Sequence, residues 1–185
     1  YNYTFAGENQ EMVESFQSLF FALILSIFLV YMIIAAQFES LLFPFAVILA
    51  VPFALIGVII ALLLADTSFN VLAFIGVIML AGIVVNNAIV LIDYINQLRK
   101  KGLERNEVVI QGGRTRMIPI LMTTLTTILA MLPMAIATGK GAVMRAPLAS
   151  TIIGGLTSST FLTLIVVPIF YTYLDDLARK FHFNF

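Results

Sequence analysis

The stretch VLAFIGVIMLAGIVVNNAIVLI, residues Val71–Ile92, decides the fold class. It holds no Asp, Glu, Lys or Arg, and as a helix it would rise roughly 33 Å, enough to cross a hydrocarbon core of about 30 Å. Only the amide pair Asn86–Asn87 interrupts its apolar character. Outward from it, four more stretches meet the same test: Phe16–Ala36, Leu41–Ala65, Ile118–Thr138 and Leu148–Leu174. The second of the five carries Pro44 and Pro52, which a membrane helix tolerates when neighbouring helices satisfy the freed carbonyls. Pro52 and Pro133 are candidate kinks.

Composition points the same way. Hydrophobic residues make up 61% of the chain and charged ones 11%, with a mean hydropathy of +1.06. A soluble domain carries roughly 25% charged residues, so the solvent for this chain is the bilayer. The zero net charge offers nothing to nucleic acid, and the absence of cysteine excludes disulfides and thiolate chemistry. The expected architecture is an all-α membrane protein, a bundle of about five transmembrane helices. A short surface helix is expected over Leu103–Gln111, in a long loop Asp93–Met117.

The chain starts at Tyr1 with no basic, signal-like segment, so it is expected to be a piece of a longer polypeptide. Tyr1, Tyr3 and Phe5 alternate with Asn2 and Thr4, the pattern of a strand's tail. Residues 1–14 are therefore read as the end of a preceding extracytoplasmic domain, 15–178 as the transmembrane domain and 179–185 as a cytoplasmic tail. Eight of the ten basic residues (Arg99, Lys100, Lys101, Arg105, Arg114, Arg116, Arg179 and Lys180) fall on one side if five spans alternate. Only Lys140 and Arg145 fall on the other. The positive-inside rule then makes the long loop and carboxy terminus cytoplasmic and the amino end external.

All ten acidic residues lie at span ends or in loops, so no mid-membrane carboxylate is present to complete a proton relay. No paired acids of an aspartyl protease, no H-E-x-x-H zinc site and no nucleophile–base pair occur, which argues against an enzyme and gives no protein-bound cofactor or metal. The single histidine, His182, follows the last span among aromatics and reads as an interfacial residue. The polar groups inside the membrane are Asn86 and Asn87 in the third span and Thr123, Thr124, Thr126 and Thr127 in the fourth. Asn86 would lie roughly 9 Å, and Thr123 roughly 8 Å, from the same cytoplasmic face. On the residues alone, cross-helix hydrogen bonding is the preferred reading, at about 1 kcal/mol per bond. The small residues Gly76, Ala81, Gly82, Gly154, Gly155, Ser158 and Ser159 read as close helix packing.

Five segments in order carry a resemblance: Ala35-Ala-Gln-Phe-Glu-Ser-Leu41, Gly76-Val-Ile-Met-Leu-Ala-Gly82, Val85-Asn-Asn-Ala-Ile-Val-Leu-Ile-Asp93, Pro119-Ile-Leu-Met-Thr-Thr124 and Pro147-Leu-Ala149. With them the chain resembles, over nearly its whole length, the resistance-nodulation-division superfamily, in its hydrophobe/amphiphile (multidrug-type) efflux branch. The resemblance implies a secondary active transporter: a proton-motive-force-driven antiporter of twelve spans in two pseudo-repeated halves, assembled as a homotrimer in the bacterial inner membrane. Its cofactor would be the proton gradient alone. Its partners would be the amino-terminal half of the same pump, membrane lipids and an extracytoplasmic adaptor protein. The chain would supply spans eight to twelve and lack both the drug-binding porter domains and the paired aspartates of the first half. Arg116, Thr123 and Asn87 match family positions at or beside the proton relay. Asn86 stands where well-studied drug pumps have lysine, and Ile118 where many relatives have arginine. Asn86 cannot carry charge and could only exchange hydrogen bonds there. Two other classes remain open: an accessory factor for protein export, which shares the superfamily fold, and a non-transporting membrane scaffold.

Overall fold

A computed structural model of the chain describes residues 6–38, 43–102, 104–137, 139 and 141–180. Six helices follow one another: α1 (Ala6–Phe38), α2 (Phe43–Ile48), α3 (Ala50–Leu64), α4 (Val71–Lys100), α5 (Arg105–Ile136) and α6 (Ala142–Lys180). No strand occurs among the described residues, and α1, α4, α5 and α6 are each long and apolar enough to cross a membrane. The fold is an all-α membrane bundle, with α2 and α3 together filling the second apolar stretch. The strand expected at Tyr1–Phe5, together with Leu103, Lys140 and His182, lies outside the described residues.

The second span is not continuous: its helix breaks at Leu49. Pro52, three residues on, has no N–H to offer the Ile48 carbonyl, and its ring crowds that oxygen. The break therefore lies upstream of the proline whose chemistry causes it. In contrast, α5 runs through Pro119 and Pro133, and α6 through Pro147 and Pro168.

The expected long loop Asp93–Met117 is largely helix. Helix α4 continues to Lys100, and α5 starts at Arg105, so the separate surface helix becomes the first turns of α5. The reversal needs only a tight turn. Gly102 takes φ +82° and donates its N–H to the Arg99 carbonyl at 3.0 Å, while Lys101 donates to Leu98 at 3.1 Å. Glycine alone adopts that backbone without strain. Arg99 and Lys100 sit in the last turn of α4, where cations oppose the helix dipole. Apolar Ile95, Leu98 and Val108 remain buried beyond the expected span ends, which is why the helices continue there.

At the other end, α3 closes with Asp66 at φ +49°, with Thr67 N–H donating to the Leu62 carbonyl at 3.1 Å. The Asn70 side chain then caps α4 by accepting from Ala73 N–H at 2.9 Å.

Helix α6 is the centre of the bundle and packs against α2, α3, α4 and α5. Its glycines permit this. A Cβ on Gly57 would run into the Gly154 carbonyl oxygen, and one on Gly154 would run into Ala61, so α3 and α6 touch backbone to backbone. Ser158 donates its hydroxyl to the Phe53 carbonyl at 3.1 Å across the same seam. Gly155 receives Leu80, and Gly76 faces Thr151, which brings α4 onto α6. Gly82 differs from this set: nothing lies within 4 Å of the position a Cβ would take, and it is exposed.

The core forms two layers along the helix axes. One is built on Ala54, Val58, Leu80, Val84, Ile152 and Leu156, the other on Leu91, Ile92, Ile95, Val108, Ile120 and Tyr171. Helix α1 is joined to the rest mainly at its ends. Phe16 meets Phe69 and Phe74 with ring centroids 6.3 and 5.9 Å away, and Tyr31 meets Phe45 at 5.6 Å. Its middle, with Phe21, Ile24, Leu25 and Phe28, is exposed, as is the α3 face bearing Ile56, Ile59, Ile60 and Leu63. Such continuous apolar surface belongs in lipid or against another helix.

Candidate functional site

The tight turn that opens at Lys101–Gly102 makes α4 and α5 an antiparallel hairpin. Two contacts fix its register: Arg116 stacks over Tyr94, and Gly112 lies against Ile95. Continued outward, this pairing sets Asn87 level with residues 120–123 of α5, to within a turn. Asn87 is half-buried, while Asn86, one residue and about 100° round the helix, is exposed. Asn86 shares its face with Met79 and Gly82, at helical spacings of seven and four residues, and both are exposed.

Neither asparagine side chain has a hydrogen-bond partner among the described residues. An amide without a partner in an apolar surrounding costs about 2–7 kcal/mol by solvent-transfer scales, so mid-span amides need an acceptor or donor from elsewhere.

The four threonines of α5 divide by direction. Thr124 is buried and shares a 2.9 Å hydrogen bond with Thr160 of α6, the cross-helix bond expected of glue. Thr123, Thr126 and Thr127 turn their hydroxyls back on their own helix, donating to Ile120, Met122 and Thr123 carbonyls at 2.8–2.9 Å. With its proton engaged in this way, the exposed Thr123 hydroxyl can accept a further hydrogen bond. It can donate one outward only after releasing Ile120.

Arg116 lies two turns below Thr123 on the same face of α5. It is half-buried, its guanidinium carbon stands 4.6 Å from the Tyr94 ring centroid, and its Nε is buried without a partner among the described residues. An unsatisfied buried donor costs about 1–3 kcal/mol, so this arginine is also incomplete among the described residues. The structure therefore brings Arg116 and Thr123 onto one face of α5, two turns apart, and sets Asn87 of α4 near the level of Thr123. No hydrogen bond joins the three to each other among the described residues.

Sequence reasoning missed a second polar knot. Buried Tyr171 of α6 donates its hydroxyl to Asn96 Oδ1 at 2.7 Å and accepts from Arg99 at 3.3 Å, tying the ends of α4 and α6 together. Only the relative register of the two helices reveals it. No cluster of three His, Asp or Glu that could hold a metal is formed among the described residues.

Against known proteins, the profile of the AcrB/AcrD/AcrF family matches residues 1–175. The swarming motility protein SwrC of Bacillus subtilis (strain 168) is 40% identical over 175 residues, which cover 94% of this chain and 17% of that protein. The multidrug resistance protein MdtC of Proteus mirabilis (strain HI4320) is 37% identical over 178 residues, 96% of this chain and again 17% of the relative. A crystal structure of a heavy metal efflux pump superposes with a TM-score of 0.79 at 32% identity, over 91% of this chain and 17% of that one. The chain thus spans about a sixth of the length of these relatives.

Proposed function

The chain belongs to the AcrB/AcrD/AcrF family of RND efflux transporters, and from that premise we propose that it is the second membrane half of a proton-driven exporter of hydrophobic or amphiphilic compounds in a bacterial inner membrane. The observation that carries the proposal is the incomplete polar face of the α4–α5 hairpin. Asn86, Asn87 and Arg116 present polar groups without hydrogen-bond partners among the described residues, and Thr123 presents free acceptor capacity at the level of Asn87, to within a turn. A face of that kind is suited to carboxylates arriving from another part of the polypeptide. Protonation of one such acid would change which groups here are engaged, repack α4 against α5 and drive extracytoplasmic domains that carry the substrate. In this reading Asn86, Asn87 and Thr123 orient the acids and Arg116 biases the cytoplasmic exit electrostatically.

The decisive experiment uses the complete protein in liposomes with an imposed pH gradient. Export of an amphiphilic dye that collapses on adding a protonophore is expected. Export indifferent to the protonophore would remove proton coupling from the proposal. The resemblance also assigns a trimer, and a monomeric mass for the intact detergent-solubilised pump would remove that part.

Orientation belongs to the same proposal. The basic turn Arg99–Arg116 is assigned to the cytoplasm because eight of ten basic residues share its side. Single cysteines at positions 101 and 140, probed in intact cells with an impermeant thiol reagent, are expected to label only at 140. Labelling at 101 alone would invert the topology.

A further inference from the structure

We propose that Tyr94 is the positioning residue for Arg116: its ring face holds the guanidinium in place while leaving the nitrogen donors uncommitted. The inference rests on the exporter role given to Arg116 above. Arg116 has no ion pair or hydrogen bond among the described residues; the Tyr94 ring, 4.6 Å from its guanidinium carbon, is the contact that holds the cation. The neighbouring acid does not compete for it. Asp93 accepts from Gln97 Nε2 at 2.8 Å on its own helix, although it adjoins Tyr94 in sequence.

The difference between a ring and a carboxylate matters here. A carboxylate grips arginine by engaging its N–H groups, often two at once, and neutralises its charge. An aromatic face attracts the cation through its quadrupole and engages none of them. Arg116 is thereby held in position yet keeps both charge and donors, among them the buried Nε that lacks an acceptor. The close approach of the helices below the stack makes the contact possible. A Cβ at Gly112 would come within 2.6 Å of Ile95 Cγ1, so glycine there lets α5 approach α4 near enough for the ring of residue 94 to reach residue 116.

A ring that holds a cation and a ring that fills space respond differently to substitution. In the complete protein, Tyr94→Phe and Tyr94→Trp keep an aromatic face, whereas Tyr94→Leu keeps apolar bulk without one. Export by the Phe and Trp variants is expected to stay near normal. Export by Tyr94→Leu is expected to fall by roughly three- to thirtyfold, the range of a partly desolvated cation–π contact. A second readout does not depend on transport: the rate at which phenylglyoxal modifies Arg116, followed by peptide mass spectrometry on the purified protein. It is expected to rise several-fold in Tyr94→Leu and to be unchanged in Tyr94→Phe. Normal export or normal labelling in Tyr94→Leu overturns the proposal, as does a Trp variant that fails while Leu works. Arg116→Gln separates the two readings. If it exports normally, the role given to Arg116 in the exporter falls. If it is inactive while Tyr94→Leu behaves as the unmodified protein, the positioning role falls alone.

Discussion

Gly154→Val is expected to leave almost no folded protein in the membrane. At this position a Cβ alone would run into Ala61 and lie 2.5 Å from the Gly57 carbonyl oxygen. Both obstacles belong to α3, and one is backbone, so no flexible side chain can swing aside. Inserting extra carbon into a close-packed core typically costs about 1–3 kcal/mol when neighbours can shift. Here relief requires parting α3 from α6, which also breaks the Ser158 bond to the Phe53 carbonyl. Association in lipid depends on this packing, because no hydrophobic force between helices substitutes for it. Gly113→Ala, in α5, is the matched control. Among the described residues nothing lies within 4 Å of the position its methyl would take, and exchanging a helical glycine for alanine gains about 0.5–1 kcal/mol. Size-exclusion profiles and thermal unfolding in detergent report both outcomes. A sharp, heat-resistant peak for Gly154→Val at the unmodified position would contradict the seam described here.

Asn87→Ala and Thr123→Ala, made singly in the complete pump, are expected to abolish most export while protein level and assembly stay near normal. A cross-helix bond in lipid is worth about 1 kcal/mol or less. Neither side chain makes one among the described residues: Asn87 has no partner, and Thr123 bonds its own helix at Ile120. Removing them therefore takes little from the bundle. A relay is less tolerant, because about 1.4 kcal/mol of altered interaction moves an acid's pKa by one unit. Asn86→Lys sharpens the test, since residue 86 is exposed on the open face of α4. If carboxylates from another segment meet that face, lysine pairs with them and the variant assembles. If none do, an unpaired cation in mid-membrane costs about 3 kcal/mol on insertion scales and assembly suffers. Transport assays beside quantitative blotting separate these results, and full export by both alanine variants would return Asn87 and Thr123 to a packing role.

The apolar spans were legible because hydropathy registers lipid directly: each long stretch named from the sequence is largely helical where it is described, the second with its break at Leu49. The helix ends were less legible. Asp93–Met117 reads as loop because its polarity rises, yet polarity marks where the bilayer stops, and a helix can continue into water. Buried Ile95, Leu98 and Val108 carried the true signal, together with Gly102 as a helix stop. The direction of each polar side chain was out of reach. Thr123 and Thr124 are adjacent and chemically identical, yet one bonds its own helix and the other reaches α6. Only the packing of α6 separates them. Asn96 and Tyr171, 75 residues apart, meet for the same reason.

The position of α6 bears on how the protein is made. It is the last of these helices to leave the ribosome, and α2, α3, α4 and α5 all pack on it. Until it arrives, the glycine faces at Gly57 and Gly76 have only lipid or insertion machinery to meet, and the Thr124 hydroxyl has no Thr160 to bond. The earlier spans therefore have only their contacts with one another, the α4–α5 hairpin among them, through the synthesis of everything up to Tyr171. Ribosome stalling anywhere before Ala142 would strand a partial bundle whose small-residue faces on α3 and α4 lack the helix they close on.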